Sequence, residues 1–255
     1  MCTLILRLKP ESDWPLVLGG NRDELRSRPA LPPGRHWREH PGIVAGRDLL
    51  AGGSWLGLND DGVVAVVLNR KGTLGPAPGR LSRGRLVIEA LSFGEAGEAV
   101  QALERLEPED YRPFNLVVAD RSGAWWLRHA ADGAGIVARP VPAGLHLLAS
   151  TELDDPAHPR VRRWLDRLRR MPELARDPPC WPAWRAVLAS REAGGDPLAA
   201  MNLDLGDFGT TSSHLLALPR EGRPRFLYAA GPPDLAPFEP VPLDPPGEMA
   251  YDGGQ

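Results

Sequence analysis

Residues 1–24 read MCTLILRLKPESDWPLVLGGNRDE, two apolar runs around a polar turn. Residues 3–8 and 15–18 are rich in Leu, Ile and Val, and the segment between them has turn chemistry, which predicts a β-hairpin. A hairpin returns the chain to its beginning. The tetrapeptide Asn21-Arg22-Asp23-Glu24, just after the second strand, is therefore expected near Cys2.

Further along, residues 43–45, 55–58 and 63–68 read as strands, with Asn59-Asp60-Asp61-Gly62 as a hairpin turn between the last two. Ser82 offers an N-cap for a helix through Leu91, and residues 95–106 give a second helix closed by Pro108. Strands return at 114–119, 124–127 and 145–149, helices at 158–170 and 181–190, and strands at 215–218 and 226–229. This blockwise order suits a layered α+β domain rather than a parallel doubly wound sheet. On the 158–170 helix, Val161, Trp164, Leu165 and Leu168 make the packing face, and Arg160, Arg162, Arg163, Arg167, Arg169 and Arg170 read as a solvated face. No repeat or linker divides the chain, so one domain over 1–230 is expected. Residues 231–255, with seven prolines, would form an extended strap or tail.

Composition narrows the function. The 255 residues carry 30 Lys+Arg against 33 Asp+Glu, and a net charge of −3 argues against a nucleic-acid binder. Hydrophobic residues at 42% and charged residues at 25% exclude disorder as the main state. Cys2 and Cys180 are too few for a disulfide framework or a four-cysteine zinc site. No apolar run approaches the ~18 residues of a membrane helix. The N-terminus lacks a basic n-region and Arg7 interrupts its apolar stretch, so a signal peptide is not expected and the cytoplasm is the expected location. His36 and His40 could face one metal only on a helix, but Pro32, Pro33, Gly34 and Pro41 bracket them and predict a loop. Neither a metal nor a cofactor is expected.

Two readings stand for Cys2. It is a small residue of the kind often buried at a strand start. Alternatively, removal of Met1 would leave it with both a thiol and a free α-amine. A thiol of pKa ~8.5 needs a base or cation to act at neutral pH, and an α-amine of pKa ~7.7–8.0 on the same residue is a suitable base. Asn69 ends the 63–68 strand with an amide donor of the kind that steadies an oxyanion, although taken alone it reads as a turn residue.

Several motifs bear on this choice: MCTLILRL at 1–8, NRDE at 21–24, AGGSWLGLN at 51–59, LNR at 68–70, SRGRL at 82–86, PFNLV at 113–117 and LASTELDDP at 148–156. Together they resemble the NRDE family, which includes the Transport and Golgi organization protein 2 homologues. GLNDDGVVAVVLN at 57–69 is similar to a hairpin of choloylglycine hydrolases and penicillin V acylases, N-terminal nucleophile hydrolases that also begin Met-Cys. The resemblance implies a four-layer αββα sandwich of mainly antiparallel sheets. It also implies Cys2 as nucleophile, Asn69 as oxyanion donor, Arg22 beside the thiol and Asp23 holding the α-amine. Asn21, Trp55, Ser150 and His214 would bind substrate. Three positions depart from the patterns: Arg22 and Asp23 are adjacent rather than two apart, Ser150 replaces an asparagine, and Thr211 stands where arginine is common. Two functions remain in view. One is an amidohydrolase or acyltransferase acting on a small amide or acyl compound through a Cys2 thioester. The other is a non-catalytic carrier of an acyl, lipid-like or haem ligand on the same fold.

Overall fold

The computed structural model describes residues 2–244. In chain order its main elements are β1 (Thr3–Leu8), β2 (Leu16–Leu25), β3 (Ala30–Gly34), β4 (Ile43–Asp48), β5 (Leu56–Asn59) and β6 (Val64–Asn69), then α1 (Gly84–Ala90) and α2 (Ala96–Leu103). They continue as β7 (Phe114–Ala119), β8 (Ala124–His129), β9 (Ile136–Pro140), β10 (Gly144–Leu148), α3 (Pro159–Arg169) and α4 (Trp181–Leu188). The last are β11 (Asp204–Leu205), β12 (Phe208–Leu218), β13 (Arg225–Ala229) and β14 (Phe238–Pro240). One sheet has the order β10-β1-β2-β12-β13-β14, with β11 also on β12; the other runs β3 to β9 in chain order. Pairing within both is antiparallel.

Side chains of successive strand residues point to opposite faces, and this sorts each strand into two layers. Leu4, Leu6 and Leu8 of β1 meet Val64, Val66 and Leu68 of β6 in the core between the sheets. Ile5 turns outward to Val161 and Trp164 of α3 and Trp184 of α4. On the other sheet Ala65 and Val67 turn outward to Leu86, Val87 and Val100 of α1 and α2. The result is the expected αββα sandwich. Among the described residues no helix is long and apolar enough to cross a membrane.

Three local expectations need correction. The second strand continues beyond residue 18 to Leu25, because β12 pairs with it from Leu16 to Leu25 and takes up its backbone groups. The NRDE tetrapeptide therefore lies within a strand and not in a turn after it. The first helix starts at Gly84, with Ser82 Oγ accepting the Gly84 N–H at 3.2 Å. Prolines hid β3 and β14 from a reading by composition. Each is the last strand of its sheet, where proline's missing donor is tolerated. Thus the start of the proline-rich segment joins the first sheet as β14, and residues 245–255 lie outside the described residues.

Two glycines join motifs that are distant in sequence. The Ser54 N–H donates to the Gly84 carbonyl at 3.0 Å, and a Cβ on Gly53 would sit 2.4 Å from the Gly84 carbonyl carbon. The glycines of AGGSWLGLN and SRGRL thus let α1 lie directly on the β4–β5 connection. Gly53→Ala should push α1 away and destabilise the protein by about 1–3 kcal/mol, the usual range for overpacking, read as a lower urea midpoint. Gly52→Ala, where no atom lies within 4 Å of the added Cβ but φ is +73°, isolates the cost of backbone strain alone.

Candidate active site

The β1–β2 register places Thr3 opposite Asn21, and the β1–β10 register places Leu4 opposite Leu148. Carried to the end of each ladder, Arg22 and Ser150 flank Cys2. Ser212 of β12 lies opposite Arg22. Ser150, Cys2, Arg22 and Ser212 therefore form one row across the sheet, on the face turned towards the other sheet. Ser212 is a member that the sequence did not single out, since only the pairing of β12 along β2 puts it there. A β-bulge at Thr211, between Thr210 and Ser212, interrupts that pairing beside the row.

Cys2 and Arg22 open onto a cavity of ≈ 210 Å³, together with Trp55, Asn69 and parts of residues 75–84. The Arg22 guanidinium lies 4.3 Å from the centre of a Trp55 ring, 3.5 Å from Asp48 Oδ2 and 3.4 Å from Thr211 Oγ1. The Trp55 Nε1–H donates to His214 Nε2 at 3.1 Å. Burial, reinforced by the Arg22 charge, pushes the His214 pKa down to about 3, so its ring is neutral and can accept this bond. His214 stands behind Trp55 and does not line the cavity. Its expected place among substrate ligands becomes that of a support for the indole.

Strand alternation divides the NRDE tetrapeptide. Arg22 and Glu24 face the cavity, whereas Asn21 and Asp23 face the helices. Asn21 Nδ2 donates to the carbonyls of Leu188 and Met201 at 3.0 and 2.8 Å, and its Oδ1 accepts from Ser213. Asn21 is thus a strut between the sheet and the end of α4, not the substrate ligand expected. Asp23 accepts from Thr210 Oγ1 at 2.7 Å and from Arg160 at 3.0 Å. Arg160 also donates to Thr3, and only 1% of its side chain is exposed. The solvated face read from the sequence therefore does not include Arg160. It lies four residues before Trp164, on the apolar side of α3, and that spacing was the signal available for its burial. Ser150 is buried beside Cys2 in the row without lining the cavity.

Burial raises the Cys2 thiol pKa; the Asp23 charge adds to this and Arg22 opposes it. Burial likewise outweighs Arg160 and Thr210 at Asp23 and raises its carboxyl above the usual range. Asn69, half-buried at the end of β6, lines the cavity and makes no side-chain hydrogen bond among the described residues, leaving its amide available to a ligand. No three His, Cys, Asp or Glu side chains among the described residues cluster as a metal site requires.

A family model described as Transport and Golgi organisation 2 matches residues 1–178. The chain belongs to that family. The Transport and Golgi organisation 2 match spans every motif discussed except the β12 segment. No curated protein sequence matches significantly. Among solved structures, this family member is similar to an N-acylethanolamine-hydrolyzing acid amidase orthologue from Caenorhabditis elegans, with a TM-score of 0.56 at 14% identity over 86% of this chain and 94% of that one. It is also similar to penicillin V acylase from Agrobacterium tumefaciens, with a TM-score of 0.51 at 15% identity over 90% and 83% of the two chains. A variant of conjugated bile acid hydrolase from Clostridium perfringens gives a TM-score of 0.52 at 10% identity over 96% and 98%. These likenesses establish the fold of the N-terminal nucleophile hydrolases.

Arg160→Gln should cost about 3–5 kcal/mol, because it leaves a buried carboxylate without its cation. The loss should also depend on pH. Without Arg160 the folded-state pKa of Asp23 rises further above its unfolded value. An acid shifted in that direction stabilises the fold at low pH, and the contribution is lost as pH rises through the folded pKa. Urea midpoints should therefore show a larger deficit at about pH 8 than at about pH 5. A second substitution, Asp23→Asn, should remove the pH dependence of the deficit.

Proposed function

We propose that this protein is an N-terminal nucleophile amidohydrolase or acyltransferase that works through a thioester on Cys2. The observation that carries this reading is that Cys2, Arg22 and Asn69 line one cavity, which gives a thiol, a cation and an amide without an internal partner the same space. Removal of Met1 would free the Cys2 α-amine. As Sγ attacks the substrate carbonyl carbon, this amine takes the thiol proton, and the carbonyl π electrons move onto oxygen, where the Asn69 amide donates to them. Collapse re-forms the carbonyl and breaks the bond to the leaving nitrogen, which receives the proton held by the amine. Water or an acceptor amine then attacks the thioester and returns the proton to Sγ.

The electrostatics explain why an adjacent base is needed. Burial disfavours the thiolate, and the N-terminal ammonium and Arg22 only partly offset that. Proton transfer to a positioned base contributes about 10²–10⁴-fold in rate, more than an uncorrected buried thiol could supply. Asp23, locked by Arg160 and Thr210, supplies a fixed negative potential on the far side of the strand for the ammonium form. The same burial favours a second reading, in which a protonated Cys2 merely lines the pocket of a carrier for an acyl, lipid-like or haem ligand.

Intact mass after incubation with an activated acyl ester separates the two. A covalent acyl adduct should form on protein beginning at Cys2, persist in Cys180→Ala and vanish in Cys2→Ala. Protein retaining Met1 should label at least roughly 10²-fold more slowly, having lost its base. No adduct, or equal labelling of the two processed forms, would leave the carrier.

A further inference from the structure

The cavity that Cys2 opens onto is strongly basic where residues 75–84 and Arg112 line it. Two acids line the cavity, Glu24 and Asp48, and both are matched by Arg22 or Arg28. Asp48 Oδ2 accepts from Arg28 at 2.6 Å and lies 3.5 Å from Arg22, while its Oδ1 accepts the N–H groups of Leu50 and Ala51. Glu24 lies 3.9 Å from Arg28.

The rest of the lining carries Arg80, Arg83 and Arg112, and among the described residues none of them has a carboxylate within 4.0 Å. Arg83 donates to Thr73 Oγ1 and to the carbonyls of Pro113 and Gly75. Arg112 donates to the carbonyls of Gly72, Leu74, Gly75 and Pro76. Those acceptors are neutral, so they fix the guanidiniums in place without neutralising them. Arg80 makes no side-chain hydrogen bond among the described residues and borders both this cavity and the neighbouring recess lined by Tyr111 and His129. Burial, with the Arg112 charge next in weight, pushes the Arg83 pKa down to about 10, against the smaller opposing influence of Cys2 and Glu24.

We infer that Arg80, Arg83 and Arg112 bind the anionic end of the substrate, a carboxylate or phosphate group held in the cavity onto which Cys2 opens. The inference rests on the reading of Cys2 as the reacting group. It makes the substrate an acyl compound with a negative charge at a distance from its scissile bond. Arginine's planar fork suits both anions.

The test compares alkylation of Cys2 by iodoacetate and by iodoacetamide, each scaled to its rate with a free cysteine peptide. The scaled iodoacetate rate should exceed the scaled iodoacetamide rate by roughly fivefold at low salt, and the excess should shrink at high salt. Arg80→Gln, which removes no internal contact, should reduce that excess, and Arg80→Lys should keep most of it. Succinate and inorganic phosphate, added separately, should slow iodoacetate; the stronger of the two identifies the anion. A ratio at or below the free peptide's, or one unmoved by Arg80→Gln, would overturn the inference while leaving the nucleophile standing. Should Cys2 react with neither reagent, the reading of Cys2 fails instead. The anion site is then judged by whether inorganic phosphate raises the melting temperature of the native chain and not of Arg80→Gln, with no such difference overturning it.

Discussion

A strand can send its odd and even residues only to opposite faces, and that constraint, applied to β2, organises this protein. Because β12 pairs with β2 through its charged end, beyond the last β1 pair at Asn21, the strand continues through residues that would otherwise leave the sheet. Arg22 is thereby turned into the sandwich beside Cys2, while Asn21 and Asp23 are driven under the helices. One tetrapeptide serves two layers: a cation for the cavity on one side, and a strut and an anion for the interior on the other.

The buried side of that strand sets the electrostatics of the exposed side. Asp23 and Arg160 are almost wholly removed from solvent, and a charge in such a place persists only with partners that satisfy it. Thr210 and Thr3 complete the network and tie β12, β1 and α3 together around it. The negative charge so held lies one residue from Arg22 and close enough to raise the Cys2 pKa. The tendency of burial to keep the thiol protonated is thus built into the same core that holds the fold together. A reactive Cys2 needs a base from outside that core.

Other motifs act through packing. Gly53 and Gly84 permit a backbone approach that brings the 75–84 segment over the cavity, and Trp55 is held by a histidine that burial keeps neutral. Arg83 of that segment and Arg112 then line the cavity that Cys2 opens onto, anchored by neutral acceptors rather than acids. The cavity is consequently unbalanced in charge, with both its acids paired to Arg22 or Arg28 and its remaining arginines held by neutral acceptors or by none.

Much of this was legible in the sequence. Alternating Leu, Ile and Val in residues 3–8 and 63–68, and the helical spacing of Val161, Trp164, Leu165 and Leu168, determine strands and helices with one apolar side or two, and hence layers. The hairpin at the start already brought NRDE near Cys2, and the motifs carried the family and its fold. What the sequence could not supply was partnership across long separations. That Asn21 reaches Leu188 and Met201, that Arg160 is buried on Asp23, and that Ser212 joins the row beside Arg22 all follow from β12 and the helices settling on strands far away in the chain. Local pattern states which residues want burial or a partner, whereas only tertiary packing decides which partner lies within hydrogen-bonding distance.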